Sequence, residues 1–83
     1  MYLARVHVTL KPTVNDPVGQ TIRGGLHDLG FQTVASVRSG KYIEVRIDEE
    51  SEEAAGKAVR GMCEQLLANP VIEAYRFELE QVQ

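Results

Sequence analysis

The sequence predicts an α+β domain in which two helices cover one face of an antiparallel sheet, and three observations support this prediction. Residues 2–11 alternate between apolar and polar side chains, as a half-buried strand does. Two later segments repeat apolar residues at helical spacing. Each of these is followed by residues typical of strands. The resulting order, β-α-β-β-α-β, is that of the two-layer ferredoxin-like fold.

The first strand is predicted to end at Pro12, which has no amide hydrogen to donate to a sheet. Its alternation directs five side chains to the core, namely Tyr2, Ala4, Val6, Val8 and Leu10. The other face of the strand carries Leu3, Arg5, His7, Thr9 and Lys11. The uncovered face of the sheet is therefore expected to be mixed in character, either solvated or in contact with another subunit.

Asp16 and Pro17 predict the start of the first helix, because Asp is a preferred cap and Pro is favoured at the first helical position. Gly30 lies where a left-handed residue would end this helix and fold Phe31 back on its last turn. Gly24-Gly25, in mid-helix, costs about 1 kcal/mol per glycine relative to alanine. Either the helix tolerates this cost or another backbone packs closely there.

Residues 33–48 contain two β-rich runs separated by Gly40-Lys41. This spacing predicts either a hairpin with Gly40 in its turn or one long strand bent at Gly40, and the hairpin is the preferred interpretation. In the second run Ile43, Val45 and Ile47 are expected to face the core.

Ser51, followed by two glutamates, predicts the start of the second helix. Asn69-Pro70 is expected to end it. Its predicted apolar stripe consists of Ala55, Ala58, Val59, Met62, Cys63, Leu66 and Leu67. In the last strand Tyr75, Phe77 and Leu79 are expected to point inward, and Arg76, Glu78 and Glu80 outward.

The length of 83 residues predicts a single domain over residues 1–83. A domain of this size buries only about 60% of its unfolded surface, and one cysteine can form no disulfide within the chain, so we expect it to associate with other chains. The net charge of −3 and the scattered basic residues argue against a nucleic-acid partner. The first residues resemble neither a signal peptide nor a membrane span, which predicts a cytoplasmic protein.

The sequence predicts no catalytic, cofactor-binding or metal-ligating residue. Gly40-Lys41 fails as a phosphate-binding loop, because the earlier glycine of that motif is replaced by Ala35. Cys63 lies in a predicted buried stripe, where a thiol behaves as a small hydrophobic group. Glu44 and Glu78 alternate with arginines, which indicates ion pairing across strands. Neither histidine stands at metal-ligand spacing from the other or from the cysteine.

Five strings of residues match a known pattern over essentially the whole chain. They are V-x-V-T-L-K-P from Val6 to Pro12, D-P-x-G from Asp16 to Gly19, L-x-x-L-G-F from Leu26 to Phe31, V-R-x-G-K-Y-I-E from Val37 to Glu44, and M-C-x-x-L-L-A-N-P-V-I-E-x-Y-R-F-E from Met62 to Glu78. On these strings the sequence resembles the PurS family, the small subunits of phosphoribosylformylglycinamidine synthase. Gly24-Gly25 departs from the stronger helix formers expected there.

The resemblance implies a non-catalytic subunit of an enzyme that uses glutamine and ATP to convert formylglycinamide ribonucleotide to the amidine. In that family a glutaminase subunit supplies ammonia, and a large synthetase subunit binds ATP with magnesium and the nucleotide. The small subunit forms a homodimer or a tetramer, holds the other two together and supports ammonia transfer. No cofactor is expected on this chain.

Residues of the matching strings that lie at strand or helix ends are the candidates for partner contacts, because exposed loops usually carry such contacts. The candidates are Lys11, Arg38 and Lys41. A structural role is expected for Pro12, Asp16, Pro17, Gly30, Gly40, Asn69 and Pro70.

Two other functions share the predicted topology. One is a regulatory module that binds a small ligand at a dimer interface, although such modules usually sit beside a catalytic domain. The other is a small phosphatase, for which Arg38 and Asn69 are the only candidate pair to hold a phosphate.

Overall fold

The chain forms one three-stranded sheet and two helices in a computed structural model that describes residues 1–83. In chain order the elements are β1 (Tyr2–Leu10), α1 (Pro17–Asp28), β2 (Gly40–Ile47), α2 (Glu52–Met62), a π-helical extension of α2 (Cys63–Leu67) and β3 (Glu73–Gln81). The central strand β1 pairs antiparallel with both β2 and β3. The predicted α+β class is confirmed, with three strands instead of four.

The core lies between the sheet and α2. Ala4, Val6 and Val8 of β1 are completely buried, as the alternation of that strand predicts. From the helix, Val59 and Cys63 pack against them. The outer strands add half-buried side chains at matching registers, Ile43, Val45, Tyr75, Phe77 and Leu79. The inward and outward faces predicted for the second and last β-rich runs are confirmed.

The strand predicted over residues 33–39 is absent, so the hairpin at Gly40 is wrong, and so is the alternative of one long strand bent there. Instead, two backbone carbonyl groups of this segment accept hydrogen bonds from side chains of α1. His27 Nε2 donates to the carbonyl of Val34 at 2.8 Å, and Arg23 Nε donates to that of Ala35 at 3.1 Å. The apolar residues here favour a strand, but no neighbouring strand offers them a pairing partner.

Both ends of α1 form as predicted. The Asp16 carboxylate accepts from the amide of Gly19 at 2.9 Å, and Pro17 is the first helical residue. At the other end Gly30 has a φ of 101°, a conformation that favours glycine. The amide of Phe31 donates to the carbonyl of Leu26 at 2.9 Å, which closes the last turn.

The second helix begins at the predicted cap, where the Ser51 hydroxyl accepts from the amide of Ala54 at 3.0 Å. Its end differs from the prediction, because the amide of Ala68 donates to the carbonyl of Cys63, five residues earlier. This wider π turn shifts the helix face by one residue. Leu66 is therefore 83% exposed, and its predicted place on the buried stripe is wrong.

The molecule is extended, because α1 projects beyond the sheet. Its radius of gyration is 16.2 Å, against about 12 Å for a compact chain of this length. Its accessible surface is 5903 Å², whereas a compact 9.2 kDa monomer exposes about 4,900 Å². Only 11 of 83 residues are buried, so a single copy leaves much of its apolar surface uncovered. No helix has both the length and the apolar composition needed to cross a membrane.

Candidate functional site

The three predicted contact residues lie at one end of the sheet, where β1 ends and β2 and β3 begin. The amide of Lys11 donates to the carbonyl of Ile72 at 2.9 Å, which places Lys11 beside the start of β3. Arg38 Nη2 donates to the carbonyls of Lys11 at 3.0 Å and Val14 at 2.8 Å. The guanidinium of Arg38 therefore holds the loop after β1 in place.

Lys41 joins the start of β2 to the same end of the sheet. Its ammonium lies 3.8 Å from the Glu73 carboxylate and donates weakly to the carbonyl of Leu67 at 3.5 Å. The lysine side chain is more than half exposed, so it remains open to a partner. The sequence prediction thus selected three residues that the fold gathers together, and their role as partner contacts stays a prediction.

Asp16 is the centre of this end of the molecule. The carboxylate is buried and accepts from the Ser39 amide at 2.6 Å, the Ser39 hydroxyl at 2.9 Å and the Gly19 amide. The hydrogen bonds from the Ser39 and Gly19 amides lower the pKa of Asp16 below its usual value. A side chain on Gly19 would overlap the carbonyl of Val37. Asp16 therefore fixes both the start of α1 and the segment that returns to β2.

Gly40 has a different structural role from the predicted one. It is the first residue of β2 and lies opposite Thr9, and it does not form a turn. A Cβ atom at this position would overlap the carbonyl of Val8. Glycine is therefore required by the close approach of β1 and β2, not by a left-handed conformation.

Asn69 and Pro70 form the turn from the π-helical segment to β3. The Asn69 side-chain oxygen accepts from the amide of Val71 at 3.1 Å. The backbone carbonyl of Asn69 accepts from the amides of Ile72 and Glu73. The amide of Asn69 donates to the Glu73 carboxylate at 2.6 Å. The side-chain oxygen, the backbone amide and the backbone carbonyl of Asn69 are thus all used to form this turn, which is a structural role.

The uncovered face of the sheet carries the ion pairing predicted for Glu78, whereas Glu44 makes no ion pair and accepts from the Tyr42 hydroxyl at 2.7 Å. Arg5 pairs with Glu80, and His7 Nε2 lies 2.8 Å from the Glu78 carboxylate. Arg76 contacts the same Glu78 oxygen at 3.0 Å. Each of these carboxylates has a polar partner of its own, so none of them is paired with another carboxylate in the way that acid–base chemistry uses.

Cys63 is not arranged as a nucleophile. Its side chain is completely buried in the core. Burial raises the pKa of the thiol, and the neighbouring Glu64 carboxylate raises it further. A thiol that stays protonated and inaccessible cannot attack a substrate, so its role is to fill the core.

Exposed apolar side chains form the feature that the sequence reasoning did not find. On and just beyond α1, Val18 is 59% exposed, Ile22 44%, Leu29 76% and Phe31 57%. At the end of the π-helical segment Leu66 is also exposed. The helical spacing of the α1 residues was visible in the sequence, but that spacing indicated contact with the sheet of the same chain. Exposure on this scale indicates a surface for another polypeptide.

Comparisons with known proteins agree on one family. The PurS family profile, described as phosphoribosylformylglycinamidine (FGAM) synthase, matches residues 3–81. The PurS subunit of that synthase from Bacillus subtilis is 46% identical over 82 residues, covering 99% of this chain and 96% of the relative. The Synechocystis subunit is 47% identical over 78 residues, covering 94% of this chain and 78% of the relative.

Solved structures of PurS proteins share the whole fold. Methanocaldococcus jannaschii PurS, described as one of the subunits of formylglycinamide ribonucleotide amidotransferase in the purine biosynthetic pathway, superposes with a TM-score of 0.89 at 42% identity. That match covers 100% of both chains. A chain in the PurLQS structure from Thermotoga maritima superposes with a TM-score of 0.85 at 32% identity, covering 96% of this chain and 99% of the other.

Proposed function

This chain belongs to the PurS family of phosphoribosylformylglycinamidine synthase subunits, and we propose that it is the assembly subunit of that enzyme in purine biosynthesis. The observation that supports this most strongly is the full-length match to a chain of the Thermotoga maritima PurLQS structure. In this role the chain acts with a glutaminase subunit and a large synthetase subunit, in the cytoplasm, and binds them without transforming a substrate itself.

The chemistry of the chain fits an assembly role. Its one thiol is buried with a raised pKa, and on the open sheet face Arg5 pairs with Glu80 and Arg76 with Glu78. No group of three or more His, Cys, Asp or Glu side chains could hold a metal ion. In this proposal ATP and magnesium are used by the large subunit, and the glutaminase produces the ammonia.

The contact with the other subunits is proposed at the end of the sheet that holds Lys11, Arg38 and Lys41. Intrachain bonds of Arg38 and Lys41 fix the local backbone, and the exposed part of Lys41 adds positive charge. A rigid surface of this kind loses little conformational entropy on binding. By joining the two larger subunits, the chain keeps the ammonia source beside the synthetase and so supports ammonia transfer.

Reconstitution tests this proposal. The purified glutaminase and large subunits are assayed for amidine formation with glutamine or with an ammonium salt, each with and without this chain. Glutamine-dependent activity should require the chain, whereas activity with added ammonium should require it much less, because free ammonia bypasses the transfer. Equal glutamine-dependent activity without the chain would contradict the assembly role.

A matched pair of charge reversals tests the location of the contact. Lys11→Glu changes the proposed end of the sheet, and Arg46→Glu makes the same change near the opposite end, where Arg46 pairs with the strand position of Leu3. Lys11→Glu should raise the concentration of the chain needed for half-maximal glutamine-dependent activity, and Arg46→Glu should not. The reverse order would move the contact to the other end.

A further inference from the structure

We propose that a cavity on the uncovered face of the sheet binds a phosphate group, either as free phosphate or as the ester of a sugar or nucleotide. The cavity has a volume of about 280 Å³ and lies where β1 ends beside β3. It is lined by His7, Thr9, Lys41, Ala74, Tyr75 and Arg76, and is called the Thr9 cavity below. The proposal goes beyond the assembly role and does not depend on it, because it concerns a small ligand of this chain.

The register of the strands explains why a cavity forms here. Thr9 lies opposite Gly40 on β2 and opposite Ala74 on β3, so that three small residues form one row across the sheet. The next row on the same face consists of large side chains, Tyr42, His7 and Arg76. A row of large side chains thus stands beside a row of small ones, and the step between the two rows is the wall of the Thr9 cavity.

The wall of the cavity is held in place from both neighbouring strands. The ring centroids of His7 and Tyr42 are 5.2 Å apart. On the β3 side His7 Nε2 lies 2.8 Å from a carboxylate oxygen of Glu78, and Arg76 Nη1 donates to the same oxygen at 3.0 Å. His7 and Arg76 are therefore oriented before a ligand arrives, which reduces the conformational entropy lost on binding.

Two side chains of the cavity can donate hydrogen bonds to a bound anion. Arg76 uses Nη1 for Glu78, and its Nε and Nη2 make no hydrogen bond within the chain. This edge of a guanidinium can hold two oxygens of a phosphate at once. Thr9 is the diagonal neighbour of Arg76, about 7–8 Å away, and its hydroxyl can donate to a third oxygen. A tetrahedral phosphate presents oxygens in both directions, whereas a planar carboxylate does not.

The distribution of charge along the sheet also favours an anion at this end. The net charge is −3, but the acidic stretch 48–53 follows β2 and so lies at the opposite end of the sheet. The basic side chains at the end with the Thr9 cavity are Lys11, Arg38, Lys41 and Arg76. Of the carboxylates at this end, Asp16 and Glu73 already accept hydrogen bonds from backbone amides. Glu78 is therefore the carboxylate that competes with a bound anion for Arg76.

An NMR titration of the isotope-labelled chain tests the site. Inorganic phosphate, ribose 5-phosphate, ADP and glutamate are added separately at constant ionic strength. The phosphate compounds should give saturable shifts centred on the amides of Thr9, Ala74 and Arg76, and glutamate, the carboxylate control, should give none there. Equal affinities would support recognition of the phosphate group alone, and tighter binding of the esters would support a cavity that also contacts the sugar. Saturable shifts with none of the phosphate compounds, or the same shifts with glutamate, would overturn the proposal.

Matched substitutions on the same face separate this site from a general attraction of anions. Arg76→Gln should weaken phosphate binding by about tenfold, because it removes the charged bidentate donor. Thr9→Val keeps the shape of the side chain without the hydroxyl and should weaken binding by about threefold. Arg46→Gln removes the same charge as Arg76→Gln but lies opposite Leu3, near the other end of the face, and should change the affinity by less than about twofold.

Circular dichroism checks that each variant is folded before its affinity is measured. Equal weakening by Arg76→Gln and Arg46→Gln would show that anions respond to the overall charge and would overturn the site. An affinity unchanged in both Arg76→Gln and Thr9→Val would overturn it as well. Glutamine-dependent activity in the reconstituted enzyme decides separately whether the assembly role holds.

Discussion

Dilution should lower the thermal stability of this chain, because the copies stabilise each other. Each copy of 83 residues exposes about 1,000 Å² more than a compact monomer of its mass, which is a surface large enough for an obligate contact. If folding and association are coupled, the midpoint temperature of unfolding depends on total concentration. A monomer shows no such dependence.

The size of the effect follows from chain length. The entropy of unfolding is about 2.1 cal/mol/K per residue, so the 166 residues of a dimer give about 350 cal/mol/K. A tenfold dilution changes the free energy by about 1.4 kcal/mol, which divided by this entropy gives about 4 °C. A hundredfold dilution should therefore lower the midpoint by about 8 °C.

Circular dichroism at 222 nm, in cells of different path length, measures the midpoint temperature of unfolding over a hundredfold range of concentration. The unfolding must be reversible at each concentration, which a second scan of the same sample checks. A midpoint that stays constant over the range would show that one copy is stable alone. The excess accessible surface of one copy would then not reflect an obligate contact with another copy.

Three further predictions concern single residues. Gly40→Ala should destabilise the fold by about 2 kcal/mol in urea titrations, because its methyl group would overlap the Val8 carbonyl, whereas Gly56→Ala, which has room in α2, should be neutral or stabilising. An equal change in the free energy of unfolding for the two variants would contradict the close approach of β1 and β2 at Gly40. The pKa of Asp16 is lowered by folding, so its ionised form stabilises the native state above the unfolded pKa, and this contribution is lost as the pH falls through the folded pKa. The stability gap between wild type and Asp16→Asn should thus be full at neutral pH and shrink below about pH 4, and a constant gap would rule out this linkage. Cys63, with a raised pKa and no exposure, should react with a thiol reagent at mild pH only after urea is added, and rapid reaction of the native chain would contradict its burial.

The sequence predicted the elements whose signals are local and periodic. The alternation of β1 determines which of its side chains face the core, because a shift by one residue would turn Ala4, Val6 and Val8 to solvent. The caps of α1 were equally accessible, because Asp16 and Gly30 act within a few residues of their own position.

The features that were missed depend on partners distant in the chain. Residues 33–39 have the composition of a strand, but the carbonyls of Val34 and Ala35 accept from side chains of α1, which no local pattern records. Asp16 was predicted as a helix cap, yet its second partner is Ser39, 23 residues later. The π turn that exposes Leu66 has no recognisable sequence signal; it begins at Cys63, whose side chain is buried in the core.

The same limit applies to the candidate site. Lys11, Arg38 and Lys41 were selected because they end elements within matching strings, and the topology then places those ends together. The spacing of the exposed apolar residues of α1 was recognised as helical, but whether this face contacts its own chain or another was not predictable. Amphipathic spacing shows that a face is buried and does not show against which chain.

The most direct test of the bridging role is sedimentation of the glutaminase and large subunits with and without this chain. With the chain present and a physiological concentration of nucleotide and glutamine, the glutaminase should sediment with the large subunit as one complex. Without it the two should sediment separately. Joint sedimentation in its absence, or separate sedimentation in its presence, would contradict the claim that this chain joins them.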